Sequence, residues 1–441
     1  MLKFCSTLAK NTFFLLSLTL TLLFSSCSQN IFLRSKSRSL AKTLINSTVL
    51  QQEFNGFVLY DLNEDKNIVD INGSKFFTPA SNTKIFTFYA SLMILKDSMP
   101  IIKYISKNDS LIFWGTGSPL CLNPDFEENT FVIDFLKKSD KKIYFCNNNF
   151  QDYRFGSGWA WDDYIYNYQL EKNAFPIYGN RLLINFYADS IDFSPKTFKI
   201  KPSLDSNVYY RAEFINEFEI GRFKSSKKIQ IPFITDSTTI TKLLSMAINK
   251  QVNKYPTENI KQEQSQILKI KIPDTLYLRL LHDSDNFIAE QLMQMCSFTL
   301  FDTLNTKKAI EYSKKNILPE LKDKCRWVDG SGLSRYNLFS PNDLVYALKM
   351  IYNKLPWAKI TRYFPAAGIS GTLKENYPNI EKPFVYAKSG SLSNNYNLSG
   401  YIQTKKGNKY IFSFMNNHFL KKSKTIKKEI EKTLLLIYKN L

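Results

Sequence analysis

Histidine is nearly absent from this 441-residue chain, which carries only His282 and His418. Neither lies in a His-Glu-X-X-His pattern, so a zinc hydrolase has no support. A serine–histidine–acid triad would have to draw on these two residues alone. No Gly-X-Ser-X-Gly elbow centres on a suitable serine. Nucleotide chemistry is equally unsupported, because no Walker loop and no Gly-X-Gly-X-X-Gly run follows a strand-like segment. Cysteine is scarce and unpatterned. Beyond Cys5 and Cys27 there remain Cys121, Cys146, Cys296 and Cys325, with no Cys-X-X-Cys pair for zinc or redox work. An exported chain permits a disulfide, and Cys121–Cys146 is the first pair to test; free buried thiols are the alternative. Internal repeats and low-complexity tracts are missing, and neither a metal nor a cofactor is expected.

Acidic side chains are also in deficit. The chain has 39 Asp and Glu against 59 Lys and Arg, a net charge of +20. Only Lys3 and Lys10 of that total fall within the first 26 residues, so the body keeps +18. Such a balance favours anionic surroundings, whether nucleic acid, anionic lipid or acidic wall polymer; a solvated basic surface accounts for it equally well. No basic run is interleaved with aromatics, so a nucleic-acid partner is not expected. Apolar residues make up 44% of the chain, enough for a sizeable core, and the length fits two or three domains.

One apolar run stands out near the start. Lys3 and Lys10 precede Asn11–Phe24, which is short for a membrane span, and Ser25-Ser26 then lead to Cys27. This order reads as an export signal rather than as structure. Leu22–Cys27 resembles a bacterial lipobox, with Phe24 where leucine is usual, and implies lipidation of Cys27. An ordinary cleaved signal and an uncleaved anchor are the competing readings. All three place the body outside the cytoplasm.

With histidine scarce, lysine is the candidate base. Thr78-Pro79-Ala80-Ser81-Asn82-Thr83-Lys84 is a proline-punctuated turn, and Ile85, Phe88, Tyr89, Leu92 and Leu95 follow at helical spacing. Ser81 is thereby expected at a helix N-terminus, with Lys84 one turn on and on the same face. Burial or neighbouring cations lower a lysine's pKa and make it a base for such a serine. Spacing alone proves little, since Ser-X-X-Lys recurs at Ser39/Lys42, Ser139/Lys142 and Ser225/Lys228. Two further stretches carry suitable groups. Asp329–Asn337 (DGSGLSRYN) is a turn-rich loop presenting a hydroxyl and an amide, although its composition also fits an ordinary surface loop. Tyr386-Ala387-Lys388-Ser389-Gly390-Ser391 ends a strand with a cation, a hydroxyl and a glycine.

The coarse pattern frames these motifs. A short helix is expected near Leu40–Leu50, then strands at Gly56–Tyr60 and Asn67–Ile71, then the Ser81 helix to about Lys96. From about Ile101 short strand-like runs dominate. Helical texture resumes at Asp285–Thr299, Thr306–Asn316 and Ser340–Asn353, the last with Ser340 as N-cap and Pro341 at its first position. Strands at Phe384–Lys388, Asn397–Thr404 and Lys409–Met415 and an amphipathic helix with Ile426, Ile430, Leu434 and Ile437 close the chain.

Taken in order, the three stretches resemble the signature of the serine penicillin-recognising enzymes: Ser-X-X-Lys, Ser-X-Asn and Lys-Thr/Ser-Gly. The long interval after Lys84 resembles that of the D-Ala-D-Ala carboxypeptidase/endopeptidase family, the low-molecular-mass class C penicillin-binding proteins. So do Phe155–Asp163 (FGSGWAWDD), Ser284–Gln291 (SDNFIAEQ), Ala367–Leu373 (AGISGTL) and Ala387–Tyr401. The resemblance implies an α/β (α+β) transpeptidase/β-lactamase-like domain, an antiparallel sheet flanked by helices, interrupted by a β-rich insertion. Expected boundaries are 1–27 for the signal with its lipobox, 28–97 plus 269–441 for the catalytic domain, and 98–268 for the insertion. By resemblance Ser81 is the nucleophile and Lys84 its base, oriented by Ser334 and Asn337. Lys388, Ser389, Gly390 and Ser391 would bind substrate, with the Ser81 and Ser391 N–H groups as oxyanion hole. Two departures are visible: Ser389 replaces the commoner threonine, and Ser334–Asn337 is one residue longer than a literal Ser-X-Asn. The implied partners are peptidoglycan stem peptides, β-lactams as acylating inhibitors and, through Cys27, a membrane surface. A β-lactamase and a non-catalytic wall-binding protein are the rival readings.

Overall fold

The computed structural model describes residues 39–187, 190–223, 227–256, 265–321, 324–377 and 382–441. The signal-like run and Cys27 lie outside the described residues. Among the described residues no helix is long and apolar enough to cross a membrane.

Both ends of the chain build one antiparallel sheet. Its strands run in the order Val385–Leu392, Asn395–Gln403, Lys409–Asn417, Phe54–Asp61, Lys66–Ile71. The run Phe57-Val58-Leu59-Tyr60 is apolar throughout because both faces of its strand are covered. Phe57 and Leu59 point to one side, where Ile426, Ile430, Leu434 and Ile437 of the helix Ser423–Asn440 complete a cluster. Val58 and Tyr60 point to the other, against Phe86 of the helix Lys84–Leu95 and Leu344 and Leu348 of the helix Pro341–Lys354. Pleating sends successive side chains to opposite faces, so a four-residue run serves two cores. Truncating Leu434 to alanine would cost ~2–5 kcal/mol.

The helix boundaries follow their local chemistry. Ser340 and Asp343 form a reciprocal capping box, with Pro341 opening the helix as expected. The first helix covers residues 39–45 and gives way to turns before the expected Leu50. The helix Asn286–Phe301 is buried over most of its length and packs against Lys84–Leu95. Its N-cap Asp285 accepts from the Ile288 N–H at 3.1 Å.

The interposed region has its own sheet, ordered Val252–Lys254, Lys142–Cys146, Ser110–Gly115, Ser98–Lys107, Gln266–Lys271. Its entry strand Ser98–Lys107 pairs antiparallel with its exit strand Gln266–Lys271, which runs across the boundary expected at 268. Among its described residues this region has two further three-stranded sheets, one of them Lys227–Pro232, Arg181–Phe186 and Ile191–Ser194. It also holds the helix Ser237–Ile248. Cys121 and Cys146 do not form the disulfide considered from sequence. Both are free and buried, and they lie in separate apolar clusters.

Candidate active site

The turn that carries Ser81 is fixed from both sides. Phe77 and Phe339 exchange backbone hydrogen bonds at 2.9 and 3.1 Å, and Phe86 stacks on Phe339 with ring centroids 4.1 Å apart. Thr78 donates its N–H to Asn417 Oδ1 at 2.6 Å, and Asn397 Nδ2 donates to the Thr78 carbonyl at 2.9 Å. Asn82 Nδ2 reaches across to the Lys388 carbonyl at 3.0 Å. The sheet edge and the turn are therefore one unit.

Ser81 lies in a 3-10 turn, Ala80–Thr83, which runs into the α-helix at Lys84. In a 3-10 turn residues three apart eclipse, so Lys84 stands directly over Ser81. Its Nζ lies 2.9 Å from Ser81 Oγ. Ala80 takes a left-handed conformation at φ 48°, uncommon for a residue with a Cβ. Its carbonyl accepts from Thr83 Oγ1 at 2.9 Å and abuts Gly332, where a Cβ would stand only 1.9 Å from that oxygen. Gly390 is required in the same way, since a Cβ there would lie 2.6 Å from the Pro79 carbonyl.

Lys84 is fully buried and has neutral acceptors beyond the serine. Asn286 Oδ1 lies 2.6 Å and the Ser331 carbonyl 2.7 Å from Nζ. Burial pushes its pKa down to about 8, against the opposing pull of Asp329, Asp285 and Glu290. Burial first, and then the Asp329 charge, raise the Glu290 carboxyl to about 7. Lys388 is also fully buried; burial first, and then the Lys84 charge, hold its pKa well below the usual lysine range.

The second motif needs a correction. Asn337 does not reach Lys84: its Nδ2 donates to Asp329 Oδ1 at 2.7 Å and to the Ser334 carbonyl at 2.9 Å. Its Oδ1 accepts from the Val328 N–H at 2.7 Å. Ser334 is buried, and its Oγ accepts from the Tyr336 N–H at 3.2 Å. Their loop is held by Asp329, which also accepts from the N–H groups of Gly332 (2.8 Å) and Ser334 (2.7 Å) and from Trp159 Nε1 (2.9 Å). Two other residues occupy the positions expected of them. Asn286 contacts Lys84 as given above, and Ser284 Oγ accepts from Lys388 Nζ at 2.8 Å. Ser284-Asp285-Asn286 is a literal Ser-X-Asn, so the signal lay in the phrase SDNFIAEQ. Asp285 between them pairs with Arg279 at 2.9 Å, and Arg279 pairs with Asp125 at the same distance, which braces the turn.

The third motif continues a strand rather than ending one, since Val385–Leu392 runs through Lys388, Ser389, Gly390 and Ser391. Ser389 Oγ donates to Thr372 Oγ1 at 2.7 Å. A cleft of about 640 Å³ opens in front of Ser81, with Ser284, Asn286 and Ser391 in its wall. Trp159, Asp163, Tyr168, Arg335 and Tyr336 form its outer part. Among the described residues no group of acids, cysteines and histidines could hold a metal ion. His282 is engaged with the Arg362 carbonyl at 3.1 Å. A serine, a buried amine with neutral acceptors and a hydroxyl on a second lysine can together perform acyl transfer.

Comparison with known proteins agrees with this chemistry. The sequence matches the profile of the D-Ala-D-Ala carboxypeptidase 3 (S13) family over residues 36–200 and 237–439. It is 25% identical over 418 residues to the D-alanyl-D-alanine carboxypeptidase DacB of Haemophilus influenzae, covering 82% of this chain and 85% of that protein. It is 24% identical over 402 residues to the penicillin-sensitive carboxypeptidase A of Dictyostelium discoideum, covering 77% and 76%. The fold is similar to that of penicillin-binding protein 4 (dacB) from Haemophilus influenzae, with a TM-score of 0.72 at 21% identity over 91% of this chain and 99% of that one. The same protein in complex with a β-lactam gives a TM-score of 0.68 at 20% identity, over the same shares of both chains. Bd3459, a predatory peptidoglycan endopeptidase of Bdellovibrio bacteriovorus, gives 0.51 at 14% identity over 87% of this chain and 92% of that one. The chain belongs to the D-Ala-D-Ala carboxypeptidase 3 (S13) family of serine peptidases.

Proposed function

We propose that this enzyme cleaves peptidoglycan stem peptides and cross-links as a D-Ala-D-Ala carboxypeptidase/DD-endopeptidase, through an acyl-enzyme on Ser81. The observation that carries the reading is the fully buried Lys84 amine, 2.9 Å from Ser81 Oγ and with a pKa down to about 8. In its neutral form that amine accepts the Ser81 proton as Oγ attacks the carbonyl between two D-alanines. Asn286 and the Ser331 carbonyl hold the amine in line and stabilise the ammonium that forms. The N–H groups of Ser81 and Ser391 receive the oxyanion, a role worth ~3–4 kcal/mol per donor in other hydrolases. Ser284, backed by Lys388, passes its proton to the leaving D-alanine nitrogen and regains the one that Lys84 accepted, so the Lys84 amine is neutral again for the attack of water. Lys388 and Ser389, with Thr372 beside it, hold the substrate's terminal carboxylate. Water then frees the acyl-enzyme.

A β-lactam carbonyl takes the place of the peptide in the same attack. The DacB relative and its solved β-lactam complex support this extension. We further assign export and lipidation at Cys27, supported by the charged, apolar and small-residue order of the first 27 residues. The catalytic part is assigned to 28–97 with 272–441 and the insertion to 98–271, a boundary moved from 268 because the exit strand Gln266–Lys271 pairs with the entry strand Ser98–Lys107.

Intact-mass measurement after incubation with penicillin tests the mechanism. Wild type gains the mass of one penicillin and Ser81→Ala gains none. An adduct on the alanine variant, or an unmodified wild type, would falsify it.

A further inference from the structure

We infer that the segment 159–168, which walls the outer cleft, continues beyond it as a binding platform for the glycan strand of peptidoglycan; this rests on the proposed substrate. Trp159, Ala160, Asp163 and Tyr168 line the cleft. Trp161 and Tyr166, on the same segment, are 76% and 40% exposed. A tryptophan so open to water on a folded surface is unusual, and exposed aromatics grouped at a cleft mouth mark contact sites. Tyr166 lies parallel to Tyr168, with centroids 5.4 Å apart and planes 12° from parallel, so the aromatic surface is continuous with the cleft wall. Exposed Asp162 and Asn167 follow Trp161 and Tyr166 in the chain.

The platform is preset. Gln169 Nε2 donates to the Ala160 carbonyl at 2.7 Å, and the Tyr166 N–H donates to the Asp163 carbonyl at 3.0 Å. Tyr168 Oη donates to Asp163 Oδ1 at 2.8 Å. Asn286 Nδ2, from the catalytic wall, donates to the Tyr168 carbonyl at 2.9 Å. A rigid surface loses little entropy on binding. Its chemistry suits a pyranose: the negative ring faces take the sugar's C–H face, and the carboxylate and amide pair with hydroxyl and acetamido groups. A stem peptide seated on Ser81 is covalently joined to a sugar at its other end, so the strand must leave through the cleft mouth. The platform thus favours glycan-borne substrates over free peptides.

The test compares wild type with Trp161→Ala/Tyr166→Ala on a disaccharide-pentapeptide and on the same pentapeptide without sugars. The variant's KM for the sugar-bearing substrate should rise about tenfold with kcat kept, on the scale of two lost aromatic contacts. Its kinetics on the bare peptide and its penicillin acylation should match wild type. Equal losses on both substrates, or no loss on either, overturn the inference. Co-sedimentation with glycan strands stripped of peptide reads the contact without catalysis, and so separates it from failure of the peptidase reading. Wild type should pellet with the strands and the variant should stay in solution; equal behaviour of the two overturns the platform. Loss of binding to phosphatidylglycerol vesicles with glycan binding intact would assign the face to a membrane instead, and also overturns it.

Discussion

Two buried lysines in this molecule are treated in opposite ways. Lys84, beside Ser81 at the cleft, has neutral acceptors among the described residues: a serine hydroxyl, an asparagine amide and a backbone carbonyl. Lys172, in the interposed region, is equally dry but faces the Asp152 carboxylate at 3.0 Å, with Thr306 Oγ1 at 3.3 Å. Burial works to raise the Asp152 pKa, but the Lys172 charge and the Thr306 hydrogen bonds outweigh it and lower the result. An ion pair locks both charges and ties the segment at 152 to that at 172. Neutral acceptors hold an amine in place yet leave it able to lose its proton. The difference between a brace and a base is the charge of one partner.

Removing the proposed base should have the largest effect on chemistry. Lys84→Met should cut the rate of penicillin acylation by about 10²–10⁴-fold, the usual worth of general-base catalysis. Because its hydrogen-bond acceptors are neutral and methionine keeps the length of the stem, thermal unfolding of this variant should shift less than when one partner of a buried ion pair is lost. A normal acylation rate in Lys84→Met would break the comparison on its catalytic side.

Asp152→Asn attacks the structural side. It strands the Lys172 charge in a buried site, and losing one partner of such a pair costs ~3–5 kcal/mol. Denaturant titration should show that loss, while the folded protein keeps wild-type acylation rates. Unchanged stability would mean that Lys172 is braced by something other than the carboxylate.

The subtlest change is Asn286→Asp, which gives Lys84 the kind of partner Lys172 has. A carboxylate favours the ammonium form, so the lysine pKa should rise above its present value of about 8. Wild-type acylation should increase with pH and level off above about 8, because only the neutral amine accepts the proton. In Asn286→Asp that limb should move to higher pH. A tenfold smaller neutral fraction of Lys84 at neutral pH means an acylation rate about tenfold lower there. A pH–rate profile with an unmoved limb would show that Asn286 does not set the charge of Lys84.

The cleft also shows which motifs were readable. Ser81 and Lys84 are close in the chain, and a single helical turn brings them together, so their pairing was legible. The loop Asp329–Asn337 looked like a second motif because it is rich in hydroxyl, amide and glycine. Its asparagine, however, turns inward to Asp329 and the Val328 N–H, and the loop serves as floor: it supplies the Ser331 carbonyl and the Gly332 gap for Ala80. Ser284, which meets Lys388, and Asn286, which meets Lys84, stand at the mouth of a helix whose inward face the sequence does not announce. Every position from Phe287 to Phe298 is buried, so the periodicity there gives no direction.

By itself the sequence determined the elements and much of their sidedness. Alternation sends Phe57 and Leu59 to one core and Val58 and Tyr60 to the other, and Ser340 with Pro341 starts a helix wherever it lies. It also set the Ser81–Lys84 contact, the pair proposed as nucleophile and base, because residues three apart in a tight turn meet. Tertiary structure decided the rest. Only the folded chain brings residues 84, 286 and 331 together, removes the amine from water and so lowers its pKa. Only there do Cys121 and Cys146 fall into separate clusters. Local sterics are written in adjacent residues, whereas dielectric and distant contacts exist only once the chain has closed on itself.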